Sequence, residues 1–76
     1  MICVQLIDKI SGKPLINKKV SLCFNGITRS GFTENILTNN EGCAFFNKDI
    51  FYDTSIYVDG KKIFEGKIIP KNIFFL

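Results

Sequence analysis

Apolar and polar residues alternate along much of this chain with a period of two. The segment 2–8 alternates from its first residue, and a second alternation places Val20, Leu22 and Phe24 on one side of an extended segment. Such alternation is typical of strands that bury one face. No segment keeps the i, i+3, i+4 spacing of an amphipathic helix over ten residues. The pattern therefore predicts an all-β chain.

Turn-forming residues divide the rest of the chain into short strands. Asp59-Gly60 is the clearest hairpin turn, Asn25-Gly26 is another turn signal, and Gly42 ends a four-residue turn in which a positive φ is expected. Further strands are expected within the segments 32–38, 43–47, 52–58, 61–69 and 72–76. Six or seven short strands at this spacing predict a small antiparallel β-sandwich or a partly open barrel. Sequence leaves open whether Ile63, or Phe64 with Ile68, faces the core.

The composition supports β structure and limits the size of the fold. The chain has 76 residues, with twelve Ile and eight Phe against a single Ala. Ala favours helices, whereas Ile and Phe favour half-buried strands. A chain of this length has room for one small core, so we predict a single domain over residues 1–76.

Several kinds of chemistry are unsupported by the sequence. The chain has no His, which excludes a Ser-His-Asp triad, a Cys-His pair and His-ligated metal. The segment Asn39-Asn40-Glu41-Gly42, with Asp49 and Asp53, offers oxygen ligands for calcium, but no D-x-D-x-D loop is present, and an ordinary turn is favoured. We therefore expect no enzyme activity, catalytic residue, metal, cofactor or small-molecule substrate.

The three cysteines have no C-x-x-C spacing and are expected to be free thiols. Whether Cys3 and Cys23, on one face of a predicted hairpin, could meet in a disulfide is left open. The N-terminus lacks a basic leader followed by an apolar run, so a cytoplasmic start without a signal peptide is expected. Export without a leader, as part of a particle, is compatible with this. No apolar run approaches the roughly 18 residues of a membrane span.

The net charge of +3 indicates a mildly basic protein rather than one with a concentrated positive surface. Tyr57, Phe64 and Lys61-Lys62 could form an aromatic and basic surface for single-stranded nucleic acid. Acidic residues lie among these lysines, and most Phe residues are needed for the core. Nucleic acid is therefore the less favoured partner.

One series of motifs goes beyond generic β structure. It runs Val4-x-Leu6-x-Asp8, Ser11-Gly12-Lys13-Pro14-Leu15-x-Asn17, Thr38-Asn39-Asn40-Glu41-Gly42-x-Ala44-x-Phe46 and Ile56-x-Val58-Asp59-Gly60. This order resembles transthyretin-like, carboxypeptidase-regulatory-like and CnaB-type β-sandwiches, over most of residues 4–60. The resemblance implies a sandwich used as a spacer, as an adhesin-type domain, or as an extension on secretion-system or phage-tail spikes. Leu6 stands where many CnaB-type domains carry the Lys of an isopeptide bond, and Asn72 stands alone, so no such bond is expected.

The C-terminal segment, residues 68–76, gives the strongest indication of function. It carries adjacent apolar residues that must face both sides of a strand, while a sandwich covers only one side. Alternatively, Phe74 or Phe75 folds back over an open end of the core. The predicted partner-binding residues are Ile73, Phe74, Phe75, Leu76, Tyr57 and Phe64. We expect a non-enzymatic structural or protein-interaction module that binds a protein partner or a second copy within a larger assembly, by strand addition. The alternative is a free-standing small basic β domain that binds single-stranded nucleic acid or another ligand.

Overall fold

Eight short strands make up the regular structure of this chain, in a computed structural model that describes residues 1–25, 30–48 and 53–76. Over those ranges there is no helix. The strands are β1 (Ile2–Ile7), β2 (Lys19–Asn25), β3 (Ser30–Phe32), β4 (Ile36–Leu37), β5 (Cys43–Phe46), β6 (Thr54–Val58), β7 (Lys61–Gly66) and β8 (Lys71–Phe75). The all-β prediction is confirmed.

The strands form two sheets that face each other. One sheet has the order β5-β1-β8, and the other has the order β3-β2-β6-β7 with β4 also paired to β2. Alternate residues of each strand point into the space between the sheets, as period-two patterning requires. The shared core contains Ile2, Val4, Leu6, Val20, Leu22, Ala44, Phe46, Ile56, Val58 and Ile68. The fold is therefore a small β-sandwich.

Strand pairing differs from the prediction in two places. The last strand, β8, lies parallel to β1, whereas the other described strand pairs are antiparallel. The single strand expected over 32–38 is two short strands, because Thr33 between them uses its backbone N–H and its hydroxyl oxygen to bond Leu22. The second residue of the predicted Asn25-Gly26 turn and the first residue of the predicted strand 52–58 lie outside the described residues.

The hairpin between β6 and β7 shows which residues of its second strand, β7, face the core. Asp59 and Gly60 have φ values of 50° and 83°, and two positive φ values are those of a two-residue type I′ turn. A bulge between Ile56 and Tyr57 then inserts Ile63 as an extra residue, so that Phe64 lies opposite Ile56. Both alternatives are realised, since Ile63 and Phe64 each pack against the core.

The connection from β1 to β2 closes one end of the core. The Asp8 carboxylate accepts the backbone N–H groups of Ile10 and Ser11 at 2.9 and 3.4 Å, and these bonds lower the pKa of Asp8. Leu15 then packs against the core, and its N–H donates to the Leu6 carbonyl at 3.0 Å. The Thr38 hydroxyl donates to the Leu15 carbonyl at 2.7 Å, which joins this connection to the segment after β4.

Candidate protein-interaction surface

The edge of the three-stranded sheet at β8 has backbone groups that no strand covers. Cys3 donates its N–H to the Pro70 carbonyl, and Leu76 donates its N–H to the Ile7 carbonyl. Residues 70, 72, 74 and 76 therefore face β1. Because alternate residues of a strand point their N–H and C=O to opposite sides, those of Lys71, Ile73 and Phe75 point away from β1. No described strand pairs with this side of β8, and we call these three residues the open edge.

Apolar side chains extend from the same strand into solvent. Phe75 is 65% exposed and Ile73 is 47% exposed. Both lie on the outer face of the three-stranded sheet, where Ile73 is opposite Gln5 and Phe75 is opposite Ile7. Phe45 on β5 is a further exposed apolar side chain, and Ile69 just before β8 is another. Two of the predicted partner-binding residues, Ile73 and Phe75, therefore lie together on an accessible face, and Leu76 lies partly exposed just beyond β8.

Phe64 and Phe74 have a different environment. Their ring centroids are 5.4 Å apart and both side chains pack against the core from opposite sheets. This is the fold-back over the core that the sequence offered as an alternative for Phe74 or Phe75, and Phe74 adopts it. These two side chains shape the interior beneath β8 and do not belong to its outer face.

Tyr57 lies on the outer face of the other sheet, opposite Ser21 on β2. Its ring centroid is 5.1 Å from that of Phe32, which is 64% exposed. Lys62 lies opposite Tyr57 and forms an ion pair of 2.7 Å with Glu65. The Tyr57 ring therefore contacts Phe32 rather than Phe64. The positive charge of the neighbouring Lys62 is paired with the carboxylate of Glu65.

Asn72 holds β8 in place from inside the sandwich. Its buried amide Nδ2 donates to the carbonyls of Cys3 and Ile69 at 3.2 and 2.7 Å, and its Oδ1 accepts the Ile69 N–H at 3.2 Å. The first carbonyl belongs to β1 and the second to the segment that leads into β8. One side chain therefore fixes the turn and the parallel pairing that create the open edge.

The turn before β5 fits a structural role. The Asn39 Oδ1 accepts the N–H groups of Glu41 and Cys43 at 2.8 and 3.0 Å, which leaves it engaged within its own turn. Gly42 has a φ of 78°, and a Cβ there would overlap the carbonyl oxygen of Leu6. Residues 1–25, 30–48 and 53–76 contain no group of three or more His, Cys, Asp or Glu side chains that could hold a metal ion. Asp49, part of the calcium alternative, lies outside the described residues.

Over the same ranges, no helix is long and apolar enough to cross a lipid bilayer. Comparisons of the chain with models of protein families, with curated protein sequences and with solved structures give no match. The resemblance to transthyretin-like sandwiches therefore stays a prediction.

Sequence reasoning missed Phe45, Phe32 and the role of Asn72. Phe45 and Phe46 are adjacent in a strand and must face opposite sides, which is the signal that drew attention to Phe74-Phe75. Phe32 has no comparable local signal, because its partner Tyr57 is reached only through the pairing of β3, β2 and β6. The role of Asn72 depends on a carbonyl 69 residues earlier in the chain.

Proposed function

We propose that this protein is a non-enzymatic interaction module that binds a protein partner by strand addition at the open edge of β8. The observation that carries the proposal is the coincidence of unpaired backbone groups and exposed apolar side chains on one strand. Lys71, Ile73 and Phe75 offer three N–H and three C=O groups along the edge. Ile73 and Phe75 offer apolar surface next to them.

Strand addition uses both features. Backbone hydrogen bonds along an edge supply affinity, and side chains at alternate positions supply specificity. Soluble proteins usually protect an apolar edge strand, because it pairs readily with other chains. A partner strand would remove this liability, which fits a component of a larger assembly such as a spike extension or an adhesin-type domain.

The first test replaces Phe75 by Asp. Phe75 is more than half exposed, so we expect the variant to fold, whereas a partner that covers the ring loses about 1–2 kcal/mol of apolar contact and must also bury a carboxylate. The affinity should fall about tenfold or more. Leu37→Asp is the matched control, because Leu37 is 54% exposed on β4 in the other sheet.

The measurement is capture of partners from a lysate of the source organism by tagged wild-type protein and by both variants, with quantitative mass spectrometry. Sedimentation velocity of the purified proteins shows whether the partner is a second copy. A partner lost with Phe75→Asp and kept with Leu37→Asp supports the proposal. A partner kept by both variants, or an unfolded Phe75→Asp protein in circular dichroism, contradicts it.

A proline variant separates strand addition from simple apolar contact. The Ile73 N–H points away from β1, so Ile73→Pro removes an edge donor without removing a bond between β1 and β8. Phe74→Pro removes a bond to β1 and serves as the disruptive comparison. If strand addition operates, Ile73→Pro keeps the fold and loses the partner. Binding that survives Ile73→Pro but not Phe75→Asp would indicate contact through the sheet face alone.

A second candidate function has one observation in its favour. The exposed Phe32 ring and the half-buried Tyr57 ring form an aromatic pair beside Lys62, and aromatic side chains stack with bases of single-stranded nucleic acid. Fluorescence anisotropy with a labelled oligothymidine tests it. Salt-sensitive binding that is lost in Phe32→Ala supports this second function, and no binding at low salt excludes it.

A further inference from the structure

Two cysteines lie side by side on the outer face of the three-stranded sheet. Cys3 on β1 is opposite Phe45, and Cys43 on β5 is opposite Gln5, so the two cysteines are diagonal neighbours on adjacent antiparallel strands. Cys3 donates its N–H toward β8 and therefore occupies a non-hydrogen-bonded position relative to β5. Side chains at diagonal positions on one face of adjacent strands can still interact, and the neighbouring Cys43 acts on the pKa of Cys3.

The two cysteines are largely shielded from solvent, and a surface groove borders one of them. Both side chains are nearly buried, and the Cys43 Sγ donates to the Glu41 carbonyl at 3.8 Å. Burial and the neighbouring Cys43 raise the pKa of Cys3, while Lys71, directly opposite Cys3 on β8, acts to lower it. An open groove of about 360 Å³ is lined by Cys43, Gln5 and Lys71 among others, so Cys43 is the cysteine that borders it.

We propose that Cys3 and Cys43 form a reversible intramolecular disulfide when the protein meets a peroxide. One thiolate attacks a peroxide oxygen, the O–O bond breaks, and a sulfenic acid and water form. The second thiol then attacks the sulfenic sulfur, the S–S bond forms, and a second water leaves. In total, two thiols are oxidised by two electrons and one hydrogen peroxide is reduced to two waters.

The position of the pair explains why the bond would be reversible. Diagonal neighbours in a sheet lie farther apart than directly opposed residues, so closing the bond must draw β1 and β5 together. A strained disulfide is more easily reduced than an unstrained one. The disulfide would join β1 covalently to β5 and would close the chain between residues 3 and 43 into a loop. Because thiolate is the attacking species, the reaction should accelerate as the pH rises.

Cys23 provides an internal control. It is buried to a similar extent, but it lies on β2 in the other sheet, where alternation places it on the opposite outer face of the sandwich. The Cys3–Cys23 disulfide that the sequence left open is not formed, and its two residues lie on opposite outer faces. Under native conditions the fold should select the Cys3–Cys43 pairing.

The test oxidises the full chain with graded hydrogen peroxide at two pH values and alkylates the remaining thiols before mass spectrometry. We expect the oxidised protein to be about 2 Da lighter before alkylation, with Cys23 alone alkylated and Cys3 crosslinked to Cys43. Dithiothreitol should reverse the mass loss and the crosslink. Cys23→Ser should form the same crosslink, and Cys43→Ser should not. The same oxidation in denaturant should give mixed pairings.

A crosslink that involves Cys23, an intermolecular disulfide, or sulfinic acid as the main native product would overturn the proposal. So would an unchanged mass at peroxide concentrations that oxidise the denatured chain. Should Cys43→Ser fail to fold, the Cys23→Ser protein and the comparison of native with denatured chain decide the question.

Discussion

Asn72 is the residue whose removal tests most directly how the open edge is built. Asn72→Ala deletes three hydrogen bonds, two donated to the carbonyls of Cys3 and Ile69 and one accepted from the Ile69 N–H. The site is almost fully buried, so water replaces these bonds poorly. We expect the loss to weaken the pairing of β8 with β1 and the turn that precedes it.

The size of the effect follows from these contacts. A buried hydrogen bond contributes about 0.5–1.5 kcal/mol net, and two of the three bonds are long, at 3.2 Å. We therefore expect the free energy of unfolding to fall by about 2–3 kcal/mol. A domain of this length has roughly 4–11 kcal/mol in total, so the variant remains folded in most of that range but is visibly weakened.

Urea unfolding followed by circular dichroism measures this change. With a slope of about 1 kcal/mol per molar urea, the midpoint should fall by about 2–3 M. Asn40→Ala is the matched control, since Asn40 is exposed in the turn before β5, and its midpoint should change by less than about 0.5 M. A midpoint for Asn72→Ala as close to wild type as that of the control would refute the role assigned to Asn72.

Three further predictions test other parts of the argument. In hydrogen exchange, the amide of Ile73 should exchange faster than the amides on either side of it, because it faces the open edge; equal protection would mean that the edge is covered. Gly42→Ala should lower the urea midpoint more than Gly12→Ala, because both have positive φ but only Gly42 meets a backbone carbonyl, that of Leu6; equal losses would contradict this. The pKa of Asp8 is lowered in the folded protein. The contribution of this carboxylate to stability is therefore complete above the ordinary carboxyl pKa of about 4, and it is lost as the pH falls through the pKa of the folded state. Asp8→Asn should therefore lose less stability than wild type between neutral pH and pH 3 in urea titrations, and an unchanged pH dependence would exclude this contribution.

Local chemistry accounts for the parts of the fold that sequence predicted well. Alternation identified the buried residues of β1 and β2, and Asp59-Gly60 identified the hairpin, because a strand face and a two-residue turn each depend on neighbours in the chain. For the same reason the exposed positions of Ile73 and Phe75 could be suspected from an apolar strand with too many apolar neighbours.

Strand pairing could not be predicted in this way, because paired strands bring together residues that are far apart in the sequence. The strand β8 itself was predicted, but its parallel pairing with β1, which leaves one edge open, required the arrangement of the whole sandwich. The bulge at Ile63 and the meeting of Cys3 with Cys43 likewise depend on register, which shifts by single residues without changing the local pattern. The sequence by itself therefore determined that the chain forms strands and which faces of β1 and β2 are buried. Only the tertiary structure decided which strands meet, and so which backbone groups, apolar side chains and thiols are brought together on one surface.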